Sequence, residues 1–550
     1  MFVLARLVAF AVGAWYITTT LLHSLLPSWF LSHSKFYSVS VAVMVLLMDR
    51  YYFYPQFYSP FRNLPIIRKT SAASVISEHP IGSSPLKWFK RFPDADVIVM
   101  REALRGKDLL YAASPRALRD VLSTNTYAFE KPTNVRSLLT RILGYGLVGS
   151  EGEPHKKQRK AMTPAFNIRN IRGLYGLMWD KTAIFLSQLE SEMKTRGSVE
   201  MTGWCSRLTL DIIGPAALSR DFESLTSSDH QVLDAWAAIL EPSREMVVFL
   251  VLNLLVPQWI VRLLPLNANK AMTRSCGFLR NLCHKILQEK HQALLSEKKD
   301  PIADETDILS NIIKSKAFTD DEVVDQMLTI LGAGVSSLHT QGNSADMLQH
   351  ETTAGAITWT CYLLAQNPQI QAKLRGEIHA CIPSSKSSIS YDILENMPYL
   401  NGVCEELLRL YPSAPATMRR AVRQTTIADV IVPKGTTVVI PIYAINRNPR
   451  FWGPDADEMV PERWIDSATA RPNKHGGSSS NYCESTFLHG QRSCIGRDFA
   501  KAELRCAVAG IFGRFVVEMV DPDQAITISG LITTKPREGM HLKLKTIEDW

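Results

Sequence analysis

The sequence contains no C-x-x-C pair, so a structural zinc site has no ligand frame to start from. It contains no N-x-[ST] sequon, as suits a domain facing the cytosol. Its nine cysteines, at 205, 276, 283, 361, 381, 404, 483, 494 and 506, are odd in number and too sparse for a disulfide scaffold, and read as mostly reduced thiols. No repeat of fixed period runs through the chain. No basic tract gathers the positive charge either: 61 Lys and Arg against 53 Asp and Glu leave +8, spread along the length. That diffuse excess argues against nucleic acid and suits an anionic membrane surface or an acidic protein partner, or solubility alone.

At 550 residues, 46% hydrophobic and 21% charged, the chain can bury a large core. Its first apolar run, Leu7 to Leu26, holds no carboxylate, Lys or Arg and is long enough to span ~30 Å of hydrocarbon as a helix. Pro27, Trp29 and Phe30 follow where a signal peptide would have a small-residue cleavage site. A second run, Phe36 to Met48, fits a short span, a re-entrant piece or an interfacial helix, so one crossing or two stays open. Arg50, Arg62, Arg68 and Lys69 come next, against Arg6 and Lys35 earlier, which places everything after residue 50 in the cytosol. The expectation is a membrane anchor and linker over 1–55 and one large domain over 56–550.

That domain reads as mainly helical with a small strand component. Val97 to Met100 and Leu109 to Tyr111 read as strands. Ile168 to Met193, Asp229 to Leu240, Cys276 to Leu295 and Ile370 to His379 carry apolar residues at three- and four-residue intervals, the pattern of helices. Strands return in Thr426 to Val432 and Thr436 to Ile442, joined by a Pro433-Lys434-Gly435 turn, and the Gly/Ser-rich 473–481 reads as a surface loop.

The most informative stretch is Phe487-Leu488-His489-Gly490-Gln491-Arg492-Ser493-Cys494-Ile495-Gly496, which fits F-x-x-G-x-R-x-C-x-G at all five fixed positions. Glycines at 490 and 496 let backbone approach a flat macrocycle, and a thiolate ligand needs backbone donors and shelter from water. A buried cysteine in a tight turn is the alternative. The stretch resembles the haem-binding loop of the cytochrome P450 family. The resemblance covers roughly residues 90 to 540 and implies the cytochrome P450 fold, mainly α with a small β component, preceded by the N-terminal membrane anchor. It implies haem b with Cys494 as the axial ligand of the iron, Phe487 and Gly496 beside it, and Arg492 on a haem propionate.

Other stretches fit the same family. Glu406-Leu407-Leu408-Arg409 lies in a helical run that stops at Pro412, so Glu406 and Arg409 share one face a turn apart. With Pro461-Glu462-Arg463-Trp464 it resembles the family's Glu-Arg-Arg triad, in which Arg463 completes a buried charge network that specifies the core. His155-Lys156-Lys157-Gln158-Arg159 stands where the family has W-x-x-x-R. The resemblance therefore implies propionate contacts from Arg159 and His155, and another from Arg419. Arg497, Lys501 and Arg505 recur at i, i+4 and i+8, either the face that meets the electron donor in the family or a solvated helix face. Met246 to Leu264 is strongly apolar, either the membrane-dipping cap of a substrate entrance or a core helix.

Thr319-Asp320-Asp321-Glu322 is a capping box that opens a long helical pattern. In the family the helix over the haem carries [AG]-G-x-[DE]-T. Here Ala333-Gly334 and His350-Glu351-Thr352-Thr353 supply the two halves, separated by Val335 to Gln349. Glu351 and Thr352 are the implied catalytic pair, relaying protons to iron-bound dioxygen while the hydroxyl bends the helix with an alternative hydrogen bond. The 335–349 insertion reads as intron-derived. Excising it restores Gly334-His350-Glu351-Thr352-Thr353, and its ends fit, because every valine codon begins GT and one glutamine codon ends AG.

The reading that joins these features is a monooxygenase inserting one oxygen atom of O2 into a lipophilic small molecule of secondary metabolism, at the endoplasmic reticulum membrane. No dinucleotide or flavin domain is evident, so an NADPH-dependent cytochrome reductase must supply the electrons. The alternatives are a haem-thiolate isomerase or dehydratase, which needs no reductase, and a haem-binding protein inactivated by the insertion. Glu351-Thr352 favours the first. The pocket segments implied by the resemblance, Leu143 to Gly149, Ser413 to Thr417 and Leu531 to Thr533, are apolar or small, as a lipophilic substrate requires.

Overall fold

Helix starts in this chain are set by groups that satisfy or dispense with free backbone N–H donors. The capping box forms as expected: Thr319 N donates to Glu322 Oε2 (2.9 Å) and Glu322 N to Thr319 Oγ1 (3.3 Å). Pro368 and Pro398 each take the first helical turn, where the missing N–H costs nothing. The computed structural model describes residues 57–550 except 69, 71–73, 76–77, 102–107, 228–229, 241–244, 246–247, 250–251, 254–255, 257, 265, 296–306, 335–351, 385–386, 525, 530–533 and 549, together with isolated positions before residue 57. The runs Leu7 to Leu26 and Phe36 to Met48 fall, apart from those isolated positions, outside the described residues, as do Glu351, the 335–349 insertion and Leu531 to Thr533. Among the described residues no helix is long and apolar enough to cross a membrane.

The helices that build the functional region are α1 (Thr133–Leu143), α2 (Gly152–Met162), α3 (Tyr175–Arg196), α4 (Met201–Leu218), α5 (Asn267–Leu295), α6 (Asp320–Gly334), α7 (Thr353–Gln366), α8 (Pro368–Cys381), α9 (Pro398–Leu410) and α10 (Arg497–Arg514). The strands are β1 (Ile66–Ile67), β2 (Val97–Arg101), β3 (Asp108–Ala112), β4 (Phe129–Glu130), β5 (Val199–Glu200), β6 (Thr417–Ala421), β7 (Thr425–Ile427), β8 (Val430–Val432), β9 (Thr437–Ile440), β10 (Phe515–Met519), β11 (Ile528–Ser529), β12 (Lys535–Pro536) and β13 (His541–Thr546). One six-stranded sheet runs β1-β2-β3-β9-β6-β4, and smaller sheets run β10-β13-β5, β11-β12 and β7-β8. Pairs β1–β2 and β3–β9 are parallel and the other neighbours in the large sheet antiparallel.

Two cores follow from this division. Ile98, Val99, Leu110, Phe129 and Val438 pack the sheet half, and the helical half closes around α7 and α10, which are buried on nearly every side. α7 is apolar around most of its girth, as a core helix is, whereas α10 buries charged Glu503 and Arg505 as well. α7 meets α4, α9 and α10, and α10 also meets α3 and α8.

Three expectations are corrected. The run 426–432 is a hairpin, because Ala428 and Asp429 take left-handed φ values of 45° and 67°, the geometry of a two-residue turn. It forms its own small sheet, and the Pro433-Lys434-Gly435 turn leads from it into β9 of the large one. Ile442 does not end a strand but opens a short helix, Ile442–Asn446. The 497/501/505 stripe is neither a solvated face nor a continuous partner surface, because α10 is enclosed. Lys501 meets Glu405 (2.6 Å), and Arg505 is buried, donating to Asn401 (2.6 Å) and pairing with Glu395 (2.7 Å). Only Arg497 is exposed. The 246–264 region divides between its two readings in the described part: Phe249 and Asn253 are buried, Val248 and Leu263 exposed.

Glu406 joins the two halves of its charge network as the motif implies. Glu406 and Arg409 have no solvent exposure, and their side chains form a two-pronged pair at 2.7 and 2.8 Å. Arg463 Nε and Trp464 Nε1 donate to the same carboxylate at 3.2 and 2.9 Å. Arg409 also donates to the carbonyls of Asn446, Ala456 and Glu458, so one side chain fixes the long segment after β9 onto α9. Glu406→Gln should leave the buried Arg409 guanidinium without its carboxylate, while Arg463 keeps Asp455, and destabilise the protein by about 3–5 kcal/mol in urea unfolding. Glu462→Gln, which breaks an exposed pair with Lys373, should stay within ~1 kcal/mol.

Candidate active site

The chain from Phe487 to Cys494 folds back on itself, with Cys494 N donating to Phe487 O at 2.9 Å. Leu488 and Gly490 take left-handed φ values of 54° and 70°. A Cβ at 490 would lie 2.2 Å from Leu122 O, so only glycine fits there. Gly496 differs: its φ is −89° and a Cβ would meet no protein atom closer than Phe166 Cε1 at 4.0 Å. The fold does not demand glycine at 496; the open space beside it does.

That space is a cavity of about 390 Å³. Its floor is Phe487, Ser493, Cys494 and Gly496, and its roof is Ala333, Gly334, Thr352, Thr353 and Ala356 from the α6–α7 junction. Among the described residues Cys494 is the one cysteine that lines it. Burial pushes the Cys494 thiol up, opposed by the Gly496 N–H and by the Arg159 and Arg497 guanidinium groups. Arg159 reaches this loop directly, donating to Ser493 O at 2.6 Å. At the roof, Thr352 Oγ1 donates to Ala333 O at 2.8 Å and Ser413 Oγ to Thr352 O at 2.9 Å. The hydroxyl thus takes up a helix carbonyl, as the motif implies, and the ends of α6 and α7 abut although seventeen positions separate Gly334 from Thr352.

His155, Arg159, Arg419, Phe487, Arg492, Cys494, Gly496 and Thr352, singled out from sequence, all line this one cavity. Glu406 and Arg409 flank its wall residue Leu408 on α9, and Arg463 joins them through Glu406. Sequence reasoning expected Ser413 among the pocket residues but missed Lys131, Glu151 and Glu503. Lys131 and Ser413 line the cavity, and Glu151 is the buried partner of both Lys131 and Arg492. Only Lys131-Pro132, just before α1, hinted at a fixed lysine; the rest are joined by the fold.

Electrostatics decide what the cavity can hold. Lys131, Arg159, Arg419 and Arg492 face it, and among the described residues Glu151 is the carboxylate that pairs with them. Glu503 does not answer them at neutral pH, because burial holds it at about 8 with only the Thr353 hydroxyl to oppose. Burial pushes Lys131 down to about 8, against the pull of Glu151, and Arg419 down to about 10. His155 is driven to about 4, first by burial and then by Arg492 and Lys131, so it is neutral, with Nδ1 3.2 Å from the Tyr127 hydroxyl. Buried Arg492 pairs through Nη1 with Glu151, and its Nε and Nη2 make no hydrogen bond. Unanswered buried donors and surplus positive charge are costly unless an anion completes them. A thiol on the floor, open space beside a glycine and cations at the edge fit a flat metal macrocycle with carboxylate arms. This is the site of a haem-thiolate protein.

The comparisons agree with that chemistry. The cytochrome P450 family model matches residues 87–542. The chain is 33% identical to the cytochrome P450 monooxygenase sphH of Aspergillus fumigatus, with 92% of each chain covered. It is 35% identical to the cytochrome P450 monooxygenase buaD of Petromyces alliaceus, over 82% of this chain and 83% of that one, and 31% identical to ptmK of Penicillium ochrochloron, over 90% and 95%. The chain belongs to the cytochrome P450 family, and is a haem-dependent monooxygenase.

The two loop glycines separate folding from cofactor fit. Gly490→Ala should destabilise the protein by about 2 kcal/mol or more in urea unfolding, since it combines left-handed strain with a backbone clash. Gly496→Ala should unfold like the parent when free of haem, yet retain less haem through gel filtration.

Proposed function

We propose that this enzyme inserts one oxygen atom of O2 into a lipophilic intermediate of secondary metabolism, using electrons passed from NADPH by a separate reductase at the endoplasmic reticulum membrane. The observation that carries the reading is the meeting of Cys494 and Thr352 across one cavity that has apolar walls such as Leu147, Ile213 and Ile330 besides its cations. In balance, a C–H bond of the substrate, O2, NADPH and a proton give the hydroxylated product, water and NADP⁺.

Bound haem b would supply the iron at which dioxygen is reduced. Cys494 would hold that iron, its sulfur reached by the Gly496 N–H and its loop braced by Arg159. Arg492, Arg419 and Lys131 would bind the propionates, with neutral His155 packed among them. The Thr352 hydroxyl, which here donates to Ala333 O, would turn from that carbonyl to pass a proton toward the cavity, with Glu351 as its neighbour in sequence. Leu147, Val148, Ile213, Ile330 and Ala414 exclude water and favour a lipophilic substrate.

A reductase with an acidic face fits α2 better than α10. Lys156, Lys157 and Lys160 are exposed there, and a surface cleft beside them is lined by Lys156, Arg159, Lys160 and Arg423 without a carboxylate. Exposed Phe57, Tyr58, Val248 and Leu263 suit a membrane surface alongside the anchor read from residues 1–55.

The test is product formation from candidate substrates with and without NADPH and reductase, with Cys494→Ala as the control. Oxygenated product should require both, and Cys494→Ala should lose the red-shifted Soret band of thiolate-ligated haem in its reduced, carbon-monoxide-bound form. Product formed without NADPH or reductase would mean rearrangement instead.

The insertion at 335–349 is proposed to be intron-derived. Its support is the unbroken motif left by excision and the abutting of Ala333 and Thr352, between which added residues cost little closure entropy. The form lacking 335–349 should turn over faster than the 550-residue form at equal haem content. Mature transcripts that all retain these codons would sink the idea.

A further inference from the structure

The strap between α1 and α2, Gly144-Tyr145-Gly146-Leu147-Val148-Gly149, has three glycines in six residues. Leu147 and Val148 line the cavity. Two adjacent side chains of α6 grip the strap by its backbone: Tyr145 N donates to Asp325 Oδ2 at 2.7 Å and Leu147 N to Gln326 Oε1 at 2.9 Å. The contact is close enough to require glycine. A Cβ at Gly144 would lie 2.0 Å from Asp325 Oδ1, and one at Gly146 2.2 Å from Thr329 Oγ1. Asp325 also pairs through Oδ1 with Arg280 of α5. One carboxylate therefore holds three elements, one turn of α6 before Thr329 at the cavity wall.

The seam between α5 and these elements is polar elsewhere too. Arg141 of α1 donates to Asn269 and to Thr273 (3.1 Å) of α5, and its guanidinium lies 5.5 Å from the centroid of the Phe249 ring. Such ties break one at a time, and they lie beside the apolar packing of Met272, Leu279 and Ile286 in the helical core. The Arg280 side chain is 38% exposed and that of Asp325 12%, so water can replace the pair from outside while the cavity side stays apolar.

We infer that Asp325 and Arg280 are positioning residues that keep Leu147 and Val148 over the cavity, and that parting this pair opens the seam between α5 and the 144–149 strap to lipophilic ligands. The inference rests on the haem-thiolate reading for the identity of the cavity. It assigns neither residue a part in the chemistry.

The experiment follows 1-phenylimidazole binding to the ferric holoenzyme by stopped-flow absorbance at the Soret band. Arg280→Gln should raise both association and dissociation rates about fivefold, the scale of a half-exposed ion pair, with a smaller change in Kd. Salt at ~1 M should speed the parent toward that rate and leave Arg280→Gln unchanged, and Arg280→Lys should restore most of the parent behaviour. The carbon-monoxide-bound spectrum should be identical in all three. Asp325→Asn, which keeps an acceptor for Tyr145 N–H, should match Arg280→Gln. Parent-like rates and salt response in Arg280→Gln overturn the inference and leave the haem-thiolate reading standing. A parent without a thiolate-type spectrum overturns that reading instead.

Discussion

The carboxylate of Glu406, shut off from solvent, organises the lower half of the site through a series of hydrogen bonds that ends at the cysteine loop. It fixes Arg409, and Arg409 fixes the carbonyl of Asn446 at 2.8 Å. The side chain of Asn446 then receives Ser485 N (3.0 Å) and donates to Thr486 Oγ1 (2.9 Å), which in turn donates to Leu408 O (2.8 Å), back on α9. Phe487, the first residue of the loop, follows directly. Each link is buried or nearly so, where an unmade hydrogen bond costs more than a made one contributes. The loop therefore inherits its position from α9, and Cys494 from the loop.

The other half of the site obeys a different constraint, the placing of charge that only a ligand can balance. Lys131 comes from the turn before α1, Arg159 from α2, Arg419 from β6 and Arg492 from the cysteine loop, so their meeting depends on the sheet half packing against the helical half. Arg419 points inward because strand residues alternate and its neighbours Met418 and Arg420 face out. Binding of a dianionic cofactor and closure of these two halves are thus linked, and the cofactor contributes to stability in proportion to how well it answers those cations.

What the sequence made legible was local. The ten-residue loop motif picked Cys494 out of nine cysteines, and the Thr319-to-Glu322 spacing located the start of α6. Glu406 and Arg409 share a helical face by periodicity alone. Periodicity failed where a helix is enclosed on all sides: the i, i+4, i+8 spacing of Arg497, Lys501 and Arg505 defined a stripe, but its burial was set by Glu395 and Glu405 on neighbouring elements. The strand reading of 426–432 failed because two non-glycine residues, Ala428 and Asp429, make the left-handed turn, helped by Asp120 Oδ2 accepting from Ala428 N. Glu151 and Arg492 are 341 positions apart, and nothing in their separate neighbourhoods marks them as a pair.

The order of the parts along the chain has a consequence for biosynthesis. The cavity walls come from segments scattered between Lys131 and Leu504, and Cys494 lies near the end of that span. A ribosome releases Lys131, Arg159 and the α6–α7 roof long before the sulfur exists. The nascent chain accordingly carries most of the cavity's cations before Cys494 is made. A site that needs Cys494 is therefore complete only after its other walls have been synthesised.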